Sequence, residues 1–384
     1  MFGQKKWVID VIGGGGLVIA LLVVFLFNIH LGSQPFVNTL DVEVIETKPS
    51  GGVSGNHLKL AVTQGERKYF GTGTDLWDDM GRLLRELGEG YDYTPITTSQ
   101  IAQNPKMLDD YDVLFLTCAP NTGPEISGII RDYVARGGTL YASDFRFDIL
   151  KHRNAFEELV YHPHALKGAG GQTVTATVKN QSLREALGSD HIDLEFDLPA
   201  WRTAAFRSPP AEVLLEGRFR TTGGSYRTAP LLVRFPFGDG TVIFTSFHNE
   251  KINRGDATKL LQYLVFTLVT AEVEKMVNAK IQKGGFAPQK SNLLSTPKDD
   301  PKVSKTYNHE SGKPLRFALG FRDAGAKLRF KIVSPKNKVY QWEGTATAIF
   351  DVPDAPKGEW TYEVTAVDLP YPNFPFTVTV GEKE

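Results

Sequence analysis

One cysteine in 384 residues, Cys118, rules out any intramolecular disulfide. That neither requires nor forbids an exported location, because large domains bury enough core without such bridges. Charge of one sign is missing too. The net charge is −1, so no basic footprint of the kind nucleic-acid binding needs is expected. Hydrophobic residues make up 41% and charged residues 23%, which is ordinary globular usage and leaves room for two or three domains. A full G-x-G-x-x-G is lacking: GTGTD (Gly71 to Asp75) precedes a helix but is cut off from its strand by ERKYF, so it reads as a glycine loop with a helix cap. Neither a cofactor nor a metal is expected. His152, His162 and His164 lie close together, but they have no regular spacing and no nearby cysteine, and His-Pro-His reads as an exposed turn.

Long apolar runs are scarce, and one stands apart. Val11 to Leu31 carries no formal charge, and at about 1.5 Å per helical residue it spans the ~30 Å hydrocarbon core of a bilayer. It exceeds the usual h-region of a signal peptide, and no A-x-A-like site follows it. Lys5 and Lys6 precede the run, while Asp41, Glu43 and Glu46 come before the next basic residue, Lys48. The positive-inside rule then predicts a single-pass membrane protein with a cytoplasmic amino terminus and its bulk periplasmic or extracellular. Gly13 to Gly16 permit close helix packing, which allows a homo-oligomer through the anchor or contact with other envelope or membrane proteins.

The expected organisation is a tail over 1–10, a transmembrane helix over 11–31, a connector over 32–56, an α/β domain over 57–277, a linker over 278–306 and a β-sandwich over 307–384. The α/β reading rests on alternation. HLKLAVTQG, YDYTPIT, DVLFLTCAP and GTLYASDF read as strands, the last two near-continuously apolar, and LWDDMGRLLRELGEG and PEISGIIRDYVARGG between them read as amphipathic helices. Thr74 or Asp75 is expected to cap the first helix. Together they predict a doubly wound, mostly parallel, flavodoxin-like sheet. Residues 165–230 break the rhythm with shorter strands and read as a β-rich elaboration. GDGTVIFTSFHNE supplies another buried strand, and ATKLLQYLVFTLVTAEVEKMV a closing helix whose apolar part is too short to cross a bilayer. The stretch QKGGFAPQKSNLLSTPKDDPKVSKT has linker composition. Alternating runs such as KLRFKIV and EWTYEVTAV then indicate an antiparallel sandwich.

The segment from Leu58 to Val277 resembles the class I glutamine amidotransferase-like superfamily, and within it the ThuA-like and gliding-motility-type members. YDVLFLTCAP…EISGIIRDYVARGGTLYASDF has that family's order of strand, helix and "GG-strand", and FGDGTVIFTSFHNE resembles its late strand ending in His-x-Glu. The resemblance implies a nucleophilic cysteine on an elbow after the GG-strand, served by a histidine base and its orienting acid. Here the elbow reads Tyr141-Ala142-Ser143-Asp144-Phe145, with no cysteine and with two aromatic residues where glycines belong. Two bulky flanks are expected to forbid the sharp bend that a nucleophile needs.

A hydrolase or transferase built on this frame would use Ser143 as nucleophile, His248 as base and Glu250 as orienting acid. The competing reading makes Ser143 and Asp144 caps of the next helix, with Asp144, Asn121 and Asn249 as ligand contacts along the crest of the sheet, beside His248. The favoured expectation is a membrane-anchored, non-enzymatic binding or scaffold protein of a cell-envelope assembly, ending in an immunoglobulin-like sandwich.

Overall fold

The computed structural model describes residues 42–45, 58–63, 78–118, 124–156, 159–160, 167–203, 205–206, 211–248, 256–296, 301–322 and 325–384. In chain order, β1 (Val42–Ile45) precedes β2 (Leu60–Thr63), α1 (Met80–Leu87), β3 (Tyr93–Ile96), α2 (Thr98–Gln103), β4 (Val113–Leu116), α3 (Ser127–Ala135), β5 (Thr139–Ser143) and α4 (Phe147–Lys151). A strand-rich stretch follows: β6 (Leu159–Val160), β7 (Lys167–Ala169), β8 (Gln172–Val178), α5 (Gln181–Leu187), β9 (His191–Phe196), β10 (Ala200–Arg202) and β11 (Ala205–Phe206). β12 (Glu212–Arg220), β13 (Tyr226–Phe237) and β14 (Gly240–Thr245) lead into the long helix α6 (Asp256–Lys283). The remaining strands are β15 (Phe286–Ser295), β16 (Lys302–His309), β17 (Leu315–Gly320), β18 (Lys327–Val333), β19 (Val339–Gly344), β20 (Thr347–Val352), β21 (Gly358–Asp368) and β22 (Pro375–Lys383).

One nine-stranded sheet runs β3-β2-β4-β5-β14-β13-β12-β8-β9. Its first five strands are parallel and the rest antiparallel, with β14 belonging to both halves. The residue pattern explains the division. Every residue of β2, β4 and β5 is buried, as strands covered on both faces must be. In β9 the pattern HIDLEF alternates exposed and buried, so one face stays wet.

Two further antiparallel sheets, β1-β20-β17-β22-β15 and β16-β21-β18-β19, face each other in a sandwich-like arrangement. Phe317 meets Trp360 across the gap at 5.5 Å, and Phe330 meets Phe350 at 5.7 Å. The helix α6 lies against this unit through Val273, Val277 and Ile281, which share a core with Phe286, Ala318 and Ile349. Gly320 makes that approach possible, since a Cβ there would lie 2.6 Å from Val277.

The structure corrects several expectations. The fold class is not the mostly parallel α/β domain with a transmembrane helix: strand (46%) outweighs helix (27%), because the β-rich middle extends the same sheet in antiparallel fashion. Among the described residues no helix is long and apolar enough to cross a membrane. That finding corrects the expected single-pass membrane location as far as the described residues go; the Val11–Leu31 run lies outside them. The linker expected over 278–306 is instead the end of α6 followed by β15 and part of β16. Its Gly/Pro/Ser/Lys content misled because β15 pairs with β22, and β16 with β21, through backbone hydrogen bonds that tolerate polar side chains.

Polar contacts tie the sandwich-like unit to the nine-stranded sheet's side of the molecule. The Tyr91 hydroxyl donates to Asn373 O at 2.6 Å, the Asn373 amide donates to Leu87 O at 3.0 Å, and Arg322 pairs with Asp112 at 2.6 Å. A single apolar cluster runs from Leu60 to Val380. The first helix also starts later than expected. Asp79, not Thr74 or Asp75, caps it by accepting from Arg82 N at 2.9 Å; the GTGTD loop lies outside the described residues.

Candidate functional site

Adjacent parallel strands bring distant residues together at their carboxyl ends, where open α/β sheets bind ligands. Cys118 follows β4, Asp144 follows β5 and His248 follows β14, and these three strands are neighbours in the sheet. Their donor atoms (the Cys118 sulfur, an Asp144 carboxylate oxygen and a His248 ring nitrogen) all lie within 4.8 Å of one another. The Cys118 thiol donates to Asp144 Oδ2 at 3.9 Å, and His248 Nε2 is 3.2 Å from the same oxygen. The imidazole is near enough for an ion pair, yet its nitrogen is not aligned for a hydrogen bond.

Asp144 sits on the elbow itself, with a φ of +44°, in the left-handed region that non-glycine residues seldom occupy. The sharp bend therefore exists, and the steric expectation was wrong. Both aromatic flanks have places of their own beside it. The Tyr141 ring packs against Phe115 at 5.8 Å within the core, and Phe145 lies under the Arg202 guanidinium at 5.4 Å. The residue at the apex is Asp144 rather than Ser143.

Ser143 is fully buried as the last residue of β5. Its hydroxyl donates to Asp78 Oδ2 and accepts from the Cys118 N–H at 2.8 Å. No hydrogen bond joins it to His248 among the described residues. The capping alternative is corrected as well. Ser143 makes no side-chain cap on the turn that follows, and Asp144 instead accepts from the distant Arg202 N–H at 2.6 Å. Neighbouring strand ends are tied in the same way: Thr117 N donates to Thr63 Oγ1 at 2.9 Å, and the buried Arg146 donates from Nε to Thr117 O at 2.6 Å. The frame around the elbow is thus fixed by buried, paired polar groups.

Burial sets the electrostatics. It pushes the Cys118 thiol up, and neighbouring His248 offsets only part of this, so Cys118 is a neutral thiol rather than an activated nucleophile. Burial also pushes the Asp144 carboxyl up, against the pull of His248 and of the Arg202 N–H. The His248 imidazole would be pushed down by burial, but the facing Cys118 and Asp144 side chains outweigh that and hold it well above its ordinary value.

Beside the cluster lies a small pocket lined by Asp144, Glu195, Asp197, Trp201, Ser246 and His248. Two of its lining atoms, Ser246 Oγ and His248 Nε2, are buried and have no hydrogen-bond partner among the described residues. Of the six candidates read from the sequence, Ser143, Asp144 and His248 come together here. Glu250, Asn121 and Asn249 lie outside the described residues. Sequence reasoning missed Cys118 as a site residue and placed it merely at the end of a buried strand. It also missed Ser246, which follows β14 two residues before His248 and lines the same pocket.

No family model matches the chain, and no curated protein matches it in sequence. Solved structures are similar to parts of it. A cytoplasmic protein of Salmonella typhimurium is 14% identical over 54% of this chain and 98% of its own, at a TM-score of 0.38. A putative ThuA-like protein of Bacteroides uniformis is 14% identical over 58% and 96% respectively, at 0.37. The β-galactosidase of Bacillus circulans sp. alkalophilus is 13% identical over 77% of this chain and 41% of its own, at 0.33. A ThuA-like protein is thus among the structures similar to about half of this chain. Likenesses this partial carry no further weight.

Proposed function

We propose that the chain is a binding and scaffold protein that holds a small polar ligand in the crest pocket beside Asp144 and His248, without acyl-transfer chemistry. The observation that carries this is the pair of unpartnered buried atoms, Ser246 Oγ and His248 Nε2, on the pocket wall. Leaving such a group unsatisfied costs about 1–3 kcal/mol, and two of them on one pocket wall favour a ligand that reaches both. Glu195 and Asp197 on the same wall suit a ligand rich in donors, such as an amine or a polyol.

A serine hydrolase at Ser143 has less support, because that hydroxyl is already engaged on both sides and the histidine is not one of its partners. The elbow at Asp144 and the histidine after β14 favour reading the domain as a degenerate member of the class I amidotransferase-like superfamily. The two facing carboxy-terminal sheets favour an immunoglobulin-like sandwich.

Thermal unfolding of the full chain against a panel of small amines and polyols tests the reading. A true ligand at a hundred times its Kd stabilises by about 2.7 kcal/mol, and Ser246→Ala and His248→Ala should erase that shift. Ester or amide turnover that disappears in Ser143→Ala would overturn it.

A further inference from the structure

We propose that Cys118, Asp144 and His248 form a three-ligand zinc site whose fourth position opens into the crest pocket; this deepens, and rests on, the reading of the crest as a binding site. The first support is geometry. Tetrahedral zinc bonds of about 2.0–2.1 Å to nitrogen and oxygen and about 2.3 Å to sulfur put an N–O ligand pair about 3.3 Å apart and an S–O pair about 3.5 Å apart. The structure has 3.2 Å for His248 Nε2 to Asp144 Oδ2 and 3.9 Å for Cys118 Sγ to the same oxygen, with all three atoms within 4.8 Å of one another. Three elements that share no local sequence deliver these atoms to one point.

The second support is the missing hydrogen bond. Nitrogen and carboxylate oxygen stand at hydrogen-bond distance, yet His248 Nε2 makes no hydrogen bond among the described residues. Lone pairs converging on a common cation produce such a near miss, whereas a structural histidine–carboxylate pair aligns its N–H. Ser246 Oγ, buried and equally unpartnered, lines the pocket onto which the fourth position opens.

The donor set selects the metal. One thiolate, one imidazole and one carboxylate suit zinc, whereas calcium and magnesium take oxygen ligands alone. A dication also balances one thiolate and one carboxylate, leaving no net charge in a buried site. The surroundings hold the ligands in place, as the outer shell of a metal site does. Asp144 Oδ1 is fixed by the Arg202 N–H at 2.6 Å, and the Cys118 backbone is fixed by Ser143 Oγ at 2.8 Å. Ser143, which the hydrolase reading made a nucleophile, becomes a positioning residue for a ligand.

The test uses the full chain, stripped with chelator, and zinc chloride alone, with no organic ligand present. We expect one equivalent of zinc to bind, and cobalt substitution to give a thiolate-to-metal charge-transfer band that vanishes in Cys118→Ser. Zinc affinity should fall by more than about 100-fold in Cys118→Ser and in His248→Ala, beyond the loss typical of an outer-shell change. Failure of the wild-type chain to bind zinc stoichiometrically overturns the site without recourse to any variant. Undiminished binding in both variants, with circular dichroism confirming their fold, overturns it too. Amine or polyol shifts that persist in a wild-type chain unable to bind zinc would refute the metal alone and leave the proposed binding function standing.

Discussion

Two histidines beside carboxylates occupy different regions of this molecule, and their surroundings could hardly differ more. His309, in the sandwich-like unit, is fully satisfied. Its Nδ1 lies 2.8 Å from Glu382 Oε1, and its Nε2 accepts from the Gly312 N–H at 3.1 Å. His248, at the crest of the nine-stranded sheet, stands 3.2 Å from Asp144 with no hydrogen bond at Nε2 and a pocket beside it. Nature of the residue is constant; context decides its role. A histidine with both nitrogens committed to the protein contributes to stability. One with a nitrogen left open beside a cavity contributes to binding. The carboxy-terminal histidine is built into the fold, and the crest histidine is left open beside a pocket.

This division predicts that damage to the first region costs stability, while damage to the second costs binding. The largest effect is expected at Trp360, which is fully buried between Phe317 and Tyr340. Trp360→Ala should destabilise by about 3–5 kcal/mol in urea unfolding. A loss below 1 kcal/mol would mean that the facing sheets are not a packed core.

Next comes His309→Ala, which leaves Glu382 with Tyr307 but without its histidine, strips the Gly312 N–H of its partner, and should cost about 1–3 kcal/mol in the same assay. Glu185 gives a smaller, pH-dependent effect at the join between α5 and β15. It lies 3.0 Å from Lys290 Nζ and accepts from Asn292 at 2.8 Å and Gln181 at 3.1 Å. Burial works to raise its carboxyl, but Lys290 and the amide donors prevail and hold it below the ordinary value. A depressed carboxyl contributes stability above its unfolded value of about 4.3, and that contribution is lost as pH falls through the folded value. Wild type should therefore exceed Glu185→Gln in stability near neutrality, and the two curves should converge in acid. Parallel curves would count against the bridge. The smallest effect is expected at His248→Ala, about 1 kcal/mol or less: no hydrogen bond at Nε2 is lost, and Asp144, whose carboxyl burial already pushes up, takes up a proton once the ion pair is gone. Destabilisation equal to that of His309→Ala would erase the distinction between the two regions.

The sequence made the parallel strands easy to read, because LAVT and VLFL bury every residue and leave only one explanation for an unbroken apolar run. His248 was found through its place at a strand end. Other features were out of reach for physical reasons. The polar strand β16 has the composition of a linker, and only its backbone pairing with β21 makes it a strand. Cys118 lies far along the chain from Asp144 and His248, and only the sheet order β4-β5-β14 makes the three neighbours. The elbow was misjudged because side-chain bulk was weighed without the space around it: the Tyr141 ring packs against Phe115 in the core and Phe145 against the Arg202 guanidinium. Ser143 looked reactive in a linear motif, whereas in three dimensions it is a bridge between Asp78 and the Cys118 backbone.

The most direct test of the contrast is nitrogen-15 NMR of the histidine rings in the full chain during a zinc titration. The His248 imidazole resonances should move to a metal-bound position at one equivalent while those of His309 stay fixed. Unmoved His248 resonances, or a His309 signal that shifts in step with them, would contradict the account.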